Sequence, residues 1–373
     1  MFMGRLLLLV VLLTACGTVV PRAATVTPSP APAATPQPSP TPSRSDFLAV
    51  VGGPKNSSVS LVASDGTVAA TTNVDLAPFR MHVLMSWTSA SRTRLYYLNG
   101  GSEVRFLAPG GITGTVTRIA VGASEQAGFA VSPDDARIAV AIFSYALSGP
   151  PASATYTGMR LYVEDLQGGG HHVDIFTSTT LAEFPVGWTS GRLVLAVSEP
   201  GCCKAQPVNP YDATSYHVVD PATGTRLASL CNNSQGPEGP IEPIGATCYH
   251  PYQAPTYQRW DGSPFDAPAA VPNPTEFLNA LSPDGTRVAV GSAGGNMWIY
   301  GPRSGGDPLN ELGYVWGWLD EEHLVIQRLD TPALFVFEVI ASAPTAARRW
   351  TIPAITEISS GGAYVGTFPP AVT

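Results

Sequence analysis

Two stretches of this chain, 150 residues apart, repeat one design. Ser132-Pro133-Asp134-Asp135-Ala136-Arg137-Ile138-Ala139-Val140 and Ser282-Pro283-Asp284-Gly285-Thr286-Arg287-Val288-Ala289-Val290 share Ser-Pro-Asp, an arginine at the same offset, and a following strand-like run. Proline presets φ for a tight turn, aspartate bonds the backbone ahead of it, and glycine takes positive φ. The small and β-branched residues that follow suit a strand buried on both faces. A chain that repeats strand, tight turn and buried strand has little freedom to be anything but a β protein built from copies.

Weaker copies extend the pattern. Trp87–Tyr97, Trp188–Leu195 and Trp318–Ile326 keep a turn and its second strand, and Ser359–Val365 is a terminal copy. Each is followed by another strand pair closed by a second turn, as in Ser60–Val62 with Asp65-Gly66, Leu161–Val163 with Gly168–Gly170, Tyr216–Val219 with Ala222–Gly224, and Trp298–Tyr300 with Ser304–Gly306. Four strands in about 40–50 residues make a propeller blade. The motif Ser-Pro-Asp-Gly-x-Arg/Lys-Ile/Val-Ala resembles the PD40 (WD40-like) repeat of TolB-type β-propellers, and its copies cover most of residues 46–373. The usual end of that repeat is blurred here, and the Gly-His…Trp-Asp signature of true WD40 repeats is absent.

The first turns fall near 92, 135, 191, 285, 322 and 361, at steps of 43, 56, 94, 37 and 39 residues. The long step leaves room for a degenerate blade in 232–274, with strands at Ala246–His250 and Tyr257–Asp261 before Gly262-Ser263-Pro264. With it the ring has seven blades; if the stretch is an insertion, six. Seven is preferred. The expected fold is a single all-β propeller in which strands from 354–368 join those near 47–72 in one composite blade, removing the open edges.

Composition agrees. Glycine (37) and proline (36) make up 73 of 373 residues, too many for a helical protein. Charged residues are only 13%, with 20 basic against 28 acidic, which excludes a basic nucleic-acid surface. The 44% hydrophobic content still permits a large core.

The N-terminus gives an address. Arg5 precedes an unbroken apolar run, Leu6–Leu13, which ends in Leu13-Thr14-Ala15-Cys16. This is the plan of a secretory signal, and the run falls short of the about 20 residues a membrane span needs. The ending resembles the bacterial lipoprotein lipobox, which implies that residues 1–15 are removed and that Cys16 becomes the lipidated first residue. Residues 17–45 then alternate proline (Pro21, Pro28, Pro30, Pro32, Pro36, Pro38, Pro40, Pro42) with Ala, Thr and Ser. Such a run adopts polyproline-II geometry and reaches on the order of 90 Å. We read 16–45 as a tether and 46–373 as the propeller domain, placing it outside the cytoplasm on a bacterial membrane. A PxxP recognition role for the tether is set aside, because modules that read it are mainly cytosolic.

Four further cysteines, Cys202, Cys203, Cys231 and Cys248, lie within 47 residues of an exported domain, where disulfides are the default. Adjacent cysteines rarely bond each other, so Cys202 and Cys203 are expected to pair separately with Cys231 and Cys248, in either order. No CxxC is present, and the nearness of His250 to Cys248 fits no structural zinc module. His171-His172 follows Gly168-Gly169-Gly170 and reads as a solvated hairpin tip, while Asp320-Glu321-Glu322 reads as a charged turn. No GxSxG, HExxH, P-loop or dinucleotide fingerprint appears. No metal, cofactor or catalytic residue is assigned, although carboxylates drawn from separate blades remain open as an enzyme site. Tyr249, Tyr252, Tyr257, Trp260 and Phe265 cluster in a proline-rich, strand-poor stretch beside the cysteines and are read as a surface for protein or sugar. The expectation is a monomeric, lipid-anchored binding or scaffolding module; the alternative is a hydrolase or lyase acting on glycans or peptides at the channel mouth.

Overall fold

A computed structural model describes residues 47–52, 58–63, 67–75, 87–147, 154–198, 213–232, 241, 244–248, 255–264, 277–301, 306–328, 336–341, 349–351 and 363–367. No helix occurs among them. The first sheet begins with β1 (Phe47–Gly52), β2 (Ser58–Ala63) and β3 (Val68–Asn73). The second is β4 (Thr88–Ala90), β5 (Leu95–Asn99), β6 (Glu103–Leu107) and β7 (Thr113–Arg118). The third is β8 (Glu125–Val131), β9 (Arg137–Leu147), β10 (Ala154–Asp165) and β11 (Val173–Ser178). The fourth is β12 (Ala182–Thr189), β13 (Arg192–Ser198), β14 (Ser215–Val219) and β15 (Arg226–Leu230). All pairing within these sheets is antiparallel and follows chain order.

The remaining sheets are unequal. β16 (Gly245–Cys248) and β17 (Thr256–Arg259) form a two-stranded sheet within a residue or two of the degenerate strands expected there. β18 (Phe277–Leu281), β19 (Val288–Tyr300), β20 (Asp307–Trp318), β21 (His323–Arg328), β22 (Val336–Ala341) and β23 (Arg349–Thr351) form one six-stranded sheet. β20 pairs with β19 through its first half and with β21 from Gly313 on, so two repeat units share one continuous strand. The close approach of β19 to β20 requires Gly291, since a Cβ there would lie 2.7 Å from the Gly313 carbonyl oxygen. Finally β24 (Ala363–Thr367) pairs antiparallel with β1. The expected composite sheet, in the order β24-β1-β2-β3, is present.

Burial explains why the sheets stack into a ring. Residues Ile138 to Phe143 of β9 are all at most 2% exposed, so both faces of this second strand are covered. Ala139, Ala141 and Phe143 pack with β12–β15, while Ile138, Val140 and Ile142 pack with Tyr96, Leu98 and Val104 of the preceding sheet. β5 divides the same way: Tyr96 and Leu98 face forward, and Leu95 and Tyr97 face back onto Val59 and Leu61. Fourth strands are poorly covered, with only Ala70 buried in β3 and no residue buried in β7. First strands lie side by side, β24 by β4, β4 by β8, and β8 by β12. An apolar second strand, an exposed fourth strand and neighbouring first strands define a β-propeller.

Both Ser-Pro-Asp turns are built alike. The Ser132 hydroxyl donates to Asp134 (2.6 Å) and accepts from the Arg137 N–H (2.9 Å); Ser282 repeats this with Asp284 (2.6 Å) and Arg287 (2.9 Å). Asp135 (φ 60°) and Gly285 (φ 72°) occupy the same left-handed position, which aspartate tolerates better than most residues. Asp135 is also held from outside, by Thr93 (2.6 Å) and Tyr96 (2.8 Å) of the preceding sheet. The Val131 N–H donates to Ser89 of β4 (2.9 Å), so the first-turn end stitches adjacent sheets.

If ring closure carries stability, removing residues 363–373 leaves β1 as an open inner edge with its β24-facing backbone groups unpaired. The truncated domain should lose its cooperative thermal transition; a melting curve superimposable on that of the full domain would refute closure by β24.

Candidate functional site

Two consecutive first strands each carry a carboxylate near their start. Glu125 opens β8 and accepts two bonds from the Arg160 guanidinium of β10 (2.5 and 3.2 Å) and one from the Gly122 N–H (2.8 Å). The bond from Arg160 holds the Glu125 carboxyl below the usual carboxylate range, and that of Arg160 itself is raised in return. Both side chains reach water, so this pair contributes little to stability.

Glu183, the second residue of β12, is different because it is only 2% exposed. Its Oε1 lies 2.8 Å from Nδ1 of His217 on β14, which is itself 7% exposed, and 3.6 Å from the half-exposed Arg226 on β15. The register makes this possible: Glu183 sits opposite Val197 on β13, and His217 sits opposite Leu195 two residues away. The carboxylate therefore reaches across β13 on one face of the sheet. Its backbone N–H donates to Met159 Sδ of the preceding sheet (3.0 Å), which anchors the strand. A buried carboxylate on Nδ1 fixes the tautomer and orientation of an imidazole, as in an acid–base pair. Neither residue stands out in the sequence; the available signal is a charged or polar residue in an otherwise apolar strand, as in Ala182-Glu183-Phe184 and Tyr216-His217-Val218.

Cys231 and Cys248 are bonded to each other, with Cα atoms 4.8 Å apart. This corrects the expectation that each would bond Cys202 or Cys203. Cys231 follows the last strand of one sheet and Cys248 ends the first strand of the next, and stacking of the two sheets brings them together. The bridge is covered on both sides, and the Cys231 N–H donates to Gln258 Oε1 (2.9 Å). Cys202, Cys203 and Cys16 lie outside the described residues.

Tyr257 and Trp260 are a second correction, since they are buried rather than displayed. Trp260 meets Tyr216 edge-on at 5.8 Å, and Tyr257 packs with Leu281, Val288 and Tyr300. The two-strand sheet offers few aliphatic residues of its own, and these rings join it to its neighbours. Tyr249, Tyr252 and Phe265 lie outside the described residues.

Two further clusters of ionisable groups sit in turns. Asp320 receives the Glu322 and His323 N–H groups and contacts the His323 ring (3.0 Å), closing the β20–β21 turn. His171 and His172 occupy the β10–β11 hairpin tip, as expected, beside Asp165 and Glu164. Among the described residues no group of three or more His, Cys, Asp or Glu is arranged to hold a metal ion.

No known family profile matches the chain, and no curated protein matches it. Solved structures similar to it include BamB from Moraxella catarrhalis, 13% identical over 81% of this chain and 93% of that one, with a TM-score of 0.40. Hsv2 from Kluyveromyces lactis is 12% identical over 83% and 97%, at 0.43. An oligogalacturonate lyase in complex with manganese is 11% identical over 76% and 68%, at 0.37. The propeller assignment rests on the strand order, burial and closure described above.

Two outcomes follow from this geometry. Glu183→Ala leaves the buried His217 imidazole without its partner and should cost about 1–3 kcal/mol in chemical denaturation, with Glu183→Gln costing less; equal stability of Glu183→Ala and wild type would exclude a buried pair. The Cys231–Cys248 bridge closes a 17-residue separation, and its loss in Cys248→Ser should cost about 3 kcal/mol. Peptide mapping without reduction should recover Cys231 and Cys248 in one linked species.

Proposed function

We propose that this chain is an exported propeller, anchored through lipid on Cys16 and held off a bacterial membrane by residues 16–45, that binds or scaffolds a protein or glycan without catalysing a reaction on it. The observation that carries this reading is the fate of the first-strand carboxylates: Glu125 is matched by Arg160, and Glu183 by His217, each within its own sheet. Groups paired in this way hold strands together and are poorly placed to act on a ligand. The Cys231–Cys248 bond supports an oxidising compartment outside the cytoplasm, and the lipobox residues Leu13–Cys16 support the anchor. We count the six-stranded sheet as two blades that share β20, which gives seven blades and a monomeric ring. Recognition would then fall to loops at one face, where every blade contributes.

One observation favours a second reading. A buried carboxylate orienting an imidazole is an arrangement that hydrolases and lyases use, and Glu183–His217 has it. The two readings separate in one experiment. The lipid-free domain, residues 46–373, is used to capture material from membranes and to probe a glycan array, alongside assays for glycan and peptide cleavage. The binding reading expects a retained ligand released chemically unchanged, with retention preserved in Glu183→Gln. Turnover that disappears in a folded Glu183→Gln variant would instead establish the enzyme. Mass spectrometry of the mature N-terminus tests the anchor, and an unmodified Cys16 would remove it.

A further inference from the structure

His172 stands at the β10–β11 hairpin with a carboxylate on each ring nitrogen. Nδ1 lies 3.2 Å from Glu164 Oε2 on β10, and Nε2 lies 3.2 Å from Asp174 Oδ1 on β11. The ring is also stacked on Tyr162 of β10, with centroids 4.8 Å apart and planes inclined by 29°. A neutral imidazole has one N–H and one lone pair, so it can satisfy only one of these carboxylates and must aim a lone pair at the other. Only the imidazolium donates from both nitrogens. The stacking limits ring rotation, so the charged form is the one this site fits.

We propose that the β10–β11 hairpin is a pH-gated clamp in which a doubly donating His172 joins the third strand of its sheet to the fourth. The other groups facing it are compatible with that role. Burial pushes the Tyr162 hydroxyl up to about 12, so that ring stays neutral while the histidine titrates. Asp165 is occupied by His171 (3.0 Å) and by Arg137 of β9, whose Nη2 also donates to the His171 carbonyl (3.0 Å). From the neighbouring sheets the hairpin meets Thr117 of β7 at Gly168, and Gly224 of the β14–β15 turn at the Asp174 backbone. In that turn Asp220 is satisfied by Thr223 and the Ala222 N–H. Arg160 of β10 also acts electrostatically on Tyr162, and His172 is the group bonded to both Glu164 and Asp174.

The sign is fixed by linkage. The bond that His172 donates to Glu164, reinforced by Asp174, raises the His172 midpoint above its ordinary value. A raised midpoint in the folded state means the clamp contributes fully below the unfolded midpoint, about 6.5, and is lost as pH rises through the folded one. β11 is the outer edge of its sheet, so what loosens at higher pH is a free strand edge able to pair with other chains.

NMR titration of the His172 ring in the 46–373 domain tests this. In wild type the midpoint should lie above the ordinary imidazole value, and Glu164→Gln and Asp174→Asn should each lower it. A midpoint at the ordinary value, or one that neither variant moves, overturns the clamp. Hydrogen exchange supplies the second readout. After correction for intrinsic rates, protection of Val173–Ser178 should fall as pH rises from about 5.5 to about 9 in wild type and stay flat in His172→Gln. The same pH profile in both proteins also overturns it, and neither readout depends on knowing the ligand.

Discussion

The constraint on which this structure depends is that its second strands are apolar on both faces. A sheet containing Ile138–Phe143 or Leu193–Val197 cannot leave either side in water. Each sheet must therefore lie between two others, and a finite row of such sheets always leaves two bare ends. Closing the row into a ring is the remaining solution, and the antiparallel pairing of β24 with β1 closes it. Stability is spread around the ring, since each layer of side chains belongs to two sheets at once. The stacked pair Phe143 and Phe184, 4.7 Å apart, is one such shared layer.

Polar chemistry follows from the same arrangement. Where a charged residue enters a covered strand it has to bring its partner from within the sheet or the adjacent one. Glu183 does so with His217, and in the Ser-Pro-Asp turn the partly buried Asp135 takes Thr93 and Tyr96 from the adjacent sheet. On the poorly covered fourth strands and their hairpins, charged groups meet solvent and interact more loosely, as His171 and His172 do with Asp165 and Glu164. The Glu183–His217 pair is thus buried by its sheet, while the pairs at the outer hairpin reach water.

Much of the fold is legible in the residues, because turn chemistry and strand composition are local. Ser132 and Ser282 announce identical turns through residue types alone, and the strand-sized apolar run after each arginine has no other use. The composite closing sheet could be expected because an unclosed row would expose an edge. What depends on contacts between distant residues was harder to read. The Cys231–Cys248 bond forms because two sheets stack, and spacing cannot reveal which sheets do. Tyr257 and Trp260 look displayed in a proline-rich stretch, yet they fill the junction around a sheet of two strands. Glu183 and His217 are 34 residues apart and meet only through the register of β13. The sharing of β20 between two units depends on Gly291 and Gly313 approaching closely, a property of tertiary contact that no turn motif marks.

Ring closure is tested most directly by native-state hydrogen exchange of the two strands that make it. β1 and β24 come from opposite ends of the domain, and in their sheet β24 neighbours β1 alone, so the β24 amides and those β1 amides not bonded to β2 are protected only if the two strands pair. A closed ring requires the β1 amides to exchange as slowly as those of β9, through the same global unfolding. Exchange of β1 and β24 at unprotected rates while β9 stays protected would contradict a closed ring and leave an open stack of sheets in its place.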